Sequence, residues 1–397
     1  MGKYLKLFET HNQYTAFTQT EDFILPNVSY CKDQTDIVHY NPWTYADAYL
    51  TFKALEDGTF QLSVNAVSYS LDNGETWTNL AAATSTPTVT AGSKIMWKAS
   101  GLQPTSSNGI GTFSATGNFD VQGNPMSLLF GDNFNGQTDL TGKNYAFSRL
   151  FSNNSKVINA ENLSLPATTL AQYCYQYMFT GCTSLTTAPE LPATTLASDC
   201  YYDMFFGCTN LTTAPELPAT TLANECYYRM FGSCTSLTTA PELPTTTLAQ
   251  GCYFNMFKGC TALTTAPELP ATTLANACYQ YMFKGCTALT TAPELPATTL
   301  ANACYEYMFE SCTSLTTAPE LPATTLTQSC YINMFNGCTS LNYIKAMFTT
   351  TPSAKYTNNW VKNVASSGTF VKNSAAQWNV SGVNGIPTGW SVETASA

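Results

Sequence analysis

Charge is scarce in this 397-residue chain: Asp, Glu, Lys and Arg make up 11%, and there are two histidines. The basic side is the poorer one, with 16 Lys and Arg against 26 Asp and Glu and a formal charge of −10. That balance excludes nucleic-acid binding, whose electrostatic part needs clustered Lys and Arg. A catalytic triad needs histidine, but His11 and His39 both lie near the N-terminus, and no G-x-S-x-G surrounds a serine. No glycine-rich phosphate loop and no C-x-x-C occurs. No apolar run approaches the ~18 residues of a membrane span. The start, MGKYLKLF, lacks the apolar core of a secretory signal, and Lys6 and Leu7 depart from the myristoylation pattern. The expectation is a chain made and folded in a cytoplasm, unless a leader has been removed.

Apolar material is plentiful. Hydrophobic residues reach 44% and aromatics 13%, too much for a disordered chain. Thr, Ser, Asn and Gln take the place of charge, as on rigid extracellular or virion β-structures. The length suits two or three domains.

Cysteine is the clearest marker of organisation. Cys174, Cys200, Cys226, Cys252, Cys278, Cys304 and Cys330 are spaced 26 residues apart without a slip, and each has a second cysteine eight residues on, from Cys182 to Cys338. A fixed period in the twenties marks a solenoid, in which each unit has one apolar face that only stacking can bury. The array spans 141–341, with a degenerate first unit in which Phe147, Leu150-Phe151 and Val157 match Tyr175, Met178-Phe179 and Leu185. In the unit LTTAPELPATTLANACYQYMFKGCTA (263–288), Leu263, Ala266 and Leu269 point inward, and Pro267 and Pro270 form corners. Leu274, Cys278 and Met282 recur at i, i+4, i+8, which predicts a short helix capped by Thr272 or Thr273 and ended by Gly285. On such a helix paired cysteines stand ~12 Å apart, too far for a disulfide. They read as small buried hydrophobes filling a column. Zinc ligation is the rival reading, weakened by the want of C-x-x-C and of histidine in the array.

Three other regions flank the array. Residues 1–43 read as a β-α-β-β module: KYLKLF as a strand, THNQYTAFTQ as a helix, NVSYC and DIVHYN as a hairpin. Residues 44–140 read as short alternating strands in an immunoglobulin-like sandwich. There Ser70-Leu71-Asp72-Asn73-Gly74-Glu75-Thr76-Trp77 fits S-x-D-x-G-x-T-W, and resembles the Asp-box of sialidases, a structural hairpin lock in that family; a glycosidase relation is the rival reading. Residues 342–397 leave the repeat, and Trp360, Trp378 and Trp390 suit a terminal cap.

Two resemblances bear on function. The repeat resembles the leucine-rich repeat of BspA-like surface proteins, with longer units than usual, and covers roughly half the chain. It implies a right-handed leucine-rich-repeat solenoid and an adhesive role. The segment KYLKLFETHNQYTAF…LPNVSYCKD…VHYN resembles the N-terminus of structural, fibre-like proteins of phages and prophages of gut Bacteroidales, over about a tenth of the chain. It implies attachment to other virion proteins, through apolar residues such as Tyr4, Leu7, Phe8, Val28 and Tyr30.

Candidate sites follow from variation between units. The constant Glu190, Glu216, Glu242, Glu268, Glu294 and Glu320 form a row of like charges, read as solvated, with weak cation binding and carboxylate-pair hydrolysis as rivals. The two positions after the constant tyrosine change most, and in six units one of them is aromatic: Tyr177, Tyr202, Tyr228, Phe254, Tyr281 and Tyr307. Packing between coils is one reading of these residues. A binding face for a host glycan or protein receptor is the other. The whole reads as mainly β with repeated short helices: a non-enzymatic virion fibre or decoration protein, expected to be a homo-oligomer, with no cofactor, metal or membrane span. The alternatives are a BspA-like adhesin of the bacterial cell surface and a polysaccharide depolymerase.

Overall fold

The computed structural model describes residues 48–104 and 106–395, together with three strands nearer the N-terminus: β1 (Phe17–Thr18), β2 (Val28–Cys31) and β3 (Ile37–Tyr40). β2 and β3 form an antiparallel hairpin with Val28 opposite Tyr40 and Cys31 opposite Ile37, and β1 adds to the other side of β3. The helix expected around Phe17 is therefore corrected at its C-terminal part. Phe17 and Thr18 favour extended backbone, and β3 offers them ladder bonds. Val28 and Tyr30 stand on β2, while Tyr4, Leu7 and Phe8 lie outside the described residues.

Among the described residues the middle region is all β apart from one short α-helix and the 3-10 turn Gly131–Asn133 that follows it. β4 (Leu50–Ala54), β5 (Phe60–Leu62), β6 (Val67–Ser70), β7 (Thr78–Leu80), β8 (Lys94–Lys98), β9 (Phe113–Ala115) and β10 (Phe119–Gln122) precede α1 (Ser127–Phe130). Alternation sets the faces: Leu50, Phe52 and Ala54 of β4 and Ile95 and Trp97 of β8 point into one core with Phe60, Phe113 and Phe119. With β11 (Val157–Asn159), five of these strands make a six-stranded sheet in the order β11-β10-β4-β8-β6-β7, while β5 and β9 pair separately. The region is thus mainly β, with one sheet of six strands and one of two. β10 pairs with β11 in parallel, so the first unit of the array adds a strand to this sheet.

Between β6 and β7 the Asp-box closes on itself. Ser70 Oγ donates to Asp72 Oδ1 (2.6 Å) and accepts from the Gly74 amide (2.8 Å). Asp72 accepts from the Thr76 amide (2.9 Å) and hydroxyl (2.5 Å), and Trp77 Nε1 donates to the Gly74 carbonyl (3.1 Å). Asn73 and Gly74 take the positive φ of the turn (59° and 92°). Every conserved letter of the motif is spent within the hairpin, as the structural reading of it requires.

The array replaces the expected helices with something else. From Tyr173 to Cys182 alternate amides bond in different directions. Cys174, Gln176, Met178, Thr180 and Cys182 donate to carbonyls three residues back, whereas Tyr173, Tyr175, Tyr177, Phe179 and Gly181 donate to carbonyls of the next unit, from Ser198 to Phe206. Every fourth residue has positive φ: Tyr173, Tyr177 and Gly181, then Asp199, Asp203 and Gly207, and so on through Ser329, Asn333 and Gly337. The segment is a ladder of successive turns. A helix satisfies its amides internally and leaves none to join its neighbour. Here half of them join one unit to the next, and the i, i+4, i+8 apolar pattern reflects a turn of four residues. Thr273, expected as a helix cap, instead forms a parallel bridge with Thr247, and Thr265, earlier in the unit, bridges Thr239 in the same way.

Inside, the units superpose as columns. Tyr175, Tyr201, Tyr227, Tyr253, Tyr279, Tyr305 and Tyr331 are stacked with neighbouring centroids 5.7–6.0 Å apart. Phe179 through Phe335 stack beside them, and the Met178-to-Met334 and Leu185-to-Leu341 columns are wholly buried.

The stack continues past the last recognisable repeat. β12 (Tyr343–Ala346), β13 (Thr369–Lys372) and β14 (Ser391–Thr394) form a parallel sheet, and Tyr343 is opposite Thr369, 26 residues on. After α2 (Ala354–Thr357), Asn359 and Asn363 have positive φ, and Trp360 and Lys362 accept from Phe335 and Gly337. The expected break of register at 342 is thus corrected, because one further coil is built from different residues. Trp360, Trp378 and Trp390 are buried and donate to the carbonyls of Gly385, Phe348 and Ala365. The indoles thereby cover the end of the array without leaving their N–H groups unpaired. Among the described residues no helix is long and apolar enough to cross a membrane.

Candidate binding face

Each turn of the ladder has two buried corners and two that face outward. In the constant C-Y-x-x-M-F segment the corners C-Y and M-F go in; of the two variable residues the aromatic one is half-buried, while the polar one is buried at Gln176, Asp203 and Asn255. The six candidate aromatics are half-buried there and form one continuous ladder. Tyr202, Tyr228 and Phe254 are parallel, at 4.4 and 4.6 Å, and Tyr281 and Tyr307 at 4.5 Å. The aromatic occupies the second variable position in Tyr177, Tyr281 and Tyr307 and the first in the other three. The rings therefore cross over twice, with Tyr177 meeting Tyr202 at 67° and Phe254 meeting Tyr281 at 59°. Both sequence readings find a basis in this geometry: the rings pack between coils and yet remain at the surface.

The position left by each aromatic is polar, and in four coils it is linked along the stack. Asp203 is buried, and Arg229 pairs with it through Nε (2.8 Å) and Nη2. Burial pushes the Asp203 carboxyl up, and Arg229 pulls it back. Gln280 donates to Glu306 (2.6 Å), whose carboxyl burial also raises. Burial pushes Tyr281 up to about 12, with Tyr307 and nearby carboxylates adding to it, so the hydroxyl stays protonated.

A third outward column, three residues beyond the second variable position, was not singled out in the sequence. It holds Phe206, Gly232, Lys258, Lys284 and Glu310. Arg229 lies over Phe206 (4.2 Å), Lys284 approaches Tyr281 and Tyr307 (5.4 and 5.2 Å) and pairs with Glu310 (2.5 Å), and Arg149 lies over Tyr177 (4.2 Å). Arg229, Lys258 and Lys284 are the only Lys or Arg between residues 166 and 341, and all three stand on this face. That confinement was legible in the sequence.

The remaining candidates lie elsewhere. Cys174, Cys200, Cys226, Cys252, Cys278, Cys304 and Cys330 form an interior column, and all fourteen array cysteines are free and buried. In the second column Cys208 Sγ donates to the Phe179 carbonyl (3.1 Å), and the same bond recurs to Cys338. Burial pushes Cys182 and Cys260 up to about 12, so these thiols are neither nucleophiles nor ready metal ligands at neutral pH. Among the described residues no group of three or more His, Cys, Asp or Glu is placed to hold a metal. The Glu190-to-Glu320 row is exposed, on the proline-bounded segment, and Glu320 pairs with Lys345 (2.9 Å).

A family model described as BspA type leucine rich repeat region, in six copies, matches residues 144–266 and 253–365. No curated protein and no solved structure matches the chain.

Proposed function

The chain belongs to the BspA-type leucine-rich repeat family, and we propose that it is a non-enzymatic surface adhesion protein. Its coils form a leucine-rich-repeat solenoid that holds the aromatic ladder rigid, and the ladder face binds a glycan or protein on another cell. The observation that carries this reading is the continuity of half-exposed rings from Tyr177 to Tyr307, accompanied by every Lys and Arg between residues 166 and 341. Variable residues on a constant, fully packed frame suit recognition, since the frame bears the stability and leaves the face free to differ.

The test is adhesion to cultured target cells by the full chain and by Tyr202→Ser and Tyr307→Ser variants that keep the wild-type thermal midpoint. Loss of adhesion in the variants supports the reading; adhesion equal to wild type removes the ladder from it.

The N-terminal segment supports a second reading, a virion fibre or decoration protein assembled in a host cytoplasm. Residues 1–43 would then be the attachment module. Mass spectrometry of purified virions from producing cells, set against surface labelling of the cells, separates the two. Under either reading, deleting residues 1–43 should leave the array folded and abolish its retention on the cell or particle. Release of sugar from a host capsule by the purified chain would instead support a depolymerase.

A further inference from the structure

The second crossing of the aromatic ladder differs from its surroundings in three ways. Arg229 is ion-paired to Asp203 and Lys284 to Glu310, but Lys258, exposed between them, forms no ion pair with a described residue. Partial burial depresses its pKa, and Lys284 and Arg229 depress it further, against a weaker pull from Glu310. One turn earlier, Asn255 is 7% exposed, and its Oδ1 is buried without a hydrogen-bond donor. Asn255 and Lys258 are the ends of one turn, joined by the Lys258 amide and the Asn255 carbonyl (3.1 Å). The next coil brings Tyr281, bonded through Asn255 N to Gln280 O (2.9 Å). One face of its ring is stacked on Tyr307, Phe254 meets it at 59° with centroids 5.4 Å apart, and Lys258 Nζ lies 5.7 Å from its centroid, so the half-exposed Tyr281 and the exposed Lys258 stand side by side.

We infer that Asn255, Lys258 and Tyr281 form a subsite for a carboxylated sugar unit of an acidic glycan. The inference rests on the adhesion reading above and deepens it. A buried acceptor without a donor carries its full desolvation penalty; the Asn255 oxygen is closed to solvent as it stands, so its side chain must turn outward for a sugar hydroxyl to donate to it and relieve that penalty. An unpaired ammonium takes a carboxylate as a charge-assisted partner. The exposed part of a tyrosine ring takes the apolar C–H face of a pyranose. An acidic sugar carries all three groups on a single ring. An acidic peptide carries the anion but spreads the donor and the apolar face over different residues.

The test is calorimetric titration of the full chain with oligogalacturonate, its methyl-esterified and therefore uncharged counterpart, a sialylated oligosaccharide, and poly-glutamate. At least one acidic sugar should bind at least tenfold more tightly than the uncharged ester and than poly-glutamate. Lys258→Gln, an exposed change, should remove at least tenfold of that affinity; Glu268→Gln, on the exposed row, should remove none. Equal binding of acid and ester, tightest binding of poly-glutamate, no binding of either acidic sugar, or an unaffected Lys258→Gln variant would each overturn the subsite. If cell adhesion persists in the face of any of those results, the adhesion reading stands and only the ligand class falls. Loss of adhesion on mutating Tyr202 and Tyr307, with acidic-sugar binding absent, has the same meaning.

Discussion

The rings of Tyr202 and Tyr228 lie face to face, with centroids 4.4 Å apart and planes 3° from parallel, although 26 residues separate them in sequence. Such overlap requires successive coils to be almost pure translations of one another. It is the surface expression of the interior columns, where Tyr201 and Tyr227 are likewise within 6° of parallel. The predictions below test the forces that hold this register.

The first concerns the thiols. All fourteen array cysteines should be unreactive to a thiol reagent in the native state, and intact mass after denaturing alkylation should show every cysteine of the chain modified. Seven disulfides would refute the packing account. Alkali tests the same burial. Cys182 is raised from 9.0 to about 12 on folding, so its contribution is fully present below pH 9 and is lost as pH rises toward 12. With many such thiols, the denaturant midpoint should fall steeply over that interval.

Met256 sits in a central coil and is fully buried. Met256→Ala should cost ~2–5 kcal/mol, the range for truncating a buried Met. Because each coil is stabilised by its neighbours, the loss should be felt as a lower midpoint for the whole array. An unchanged midpoint would place Met256 outside the core.

Gly285 and Ser311 occupy the same corner of adjacent coils, with φ of 75° and 62°. A Cβ on Gly285 would meet nothing closer than Gly259 at 3.9 Å, so Gly285→Ala should cost about 1 kcal/mol from backbone strain alone. Ser311→Gly should shift the midpoint the other way. A helix ended by Gly285 would give the same sign there, so the discriminating change is Ala277→Gly: Ala277 lies inside the expected helix, where glycine costs about 1 kcal/mol, but has φ of 55° in the ladder, where glycine should raise the midpoint.

Asp72 is lowered from 3.8 to about 2, first by its hydrogen bond with Ser70 and then by those with Thr76. A depressed carboxylate stabilises the fold above its unfolded pKa and stops doing so as pH falls through its folded one. The hairpin between β6 and β7 should therefore loosen between about pH 4 and pH 2, seen as loss of the Thr76 amide protection. Asp72→Asn should show reduced protection at neutral pH. Protection unaltered by acid would mean that the Asp-box does not lock the turn.

How much of this was legible is best seen residue by residue. The period and the interior columns of Cys and Met follow directly from spacing, whereas for the pair after the constant tyrosine spacing leaves packing and a binding face both open. The turn ladder does not, since Leu274, Cys278 and Met282 recur every four residues, and over so short a segment a period of four passes for 3.6. The signal that would have helped is Asn, Asp or Gly at every fourth position, as in Asp199, Asp203 and Gly207, residues that tolerate positive φ. The coil after 342 was hidden because Trp360 stands where the array has Met, with Asn359 and Asn363 keeping the backbone in step. The ring crossings and the unpaired Asn255 amide depend on side-chain placement, which spacing alone does not encode.

The amides of the turn ladder that join coils all point toward the C-terminal end: Tyr175 to Cys200, Tyr201 to Cys226, Tyr227 to Cys252, and onward to Phe335 and Trp360. Peptide dipoles aligned in this way sum along an axis as they do in a helix, but with the opposite sense relative to the chain. The end facing the middle region carries the excess of carbonyl oxygens, and there the Leu150 carbonyl accepts from Phe113. The far end carries the excess of N–H groups, and there the Asn359 amide is met by Asn384 Oδ1 (2.7 Å). The array is a polar rod with two chemically distinct ends, so a whole number of coils can be added or removed at any internal joint without altering either terminus, whereas a reversed coil would set N–H against N–H.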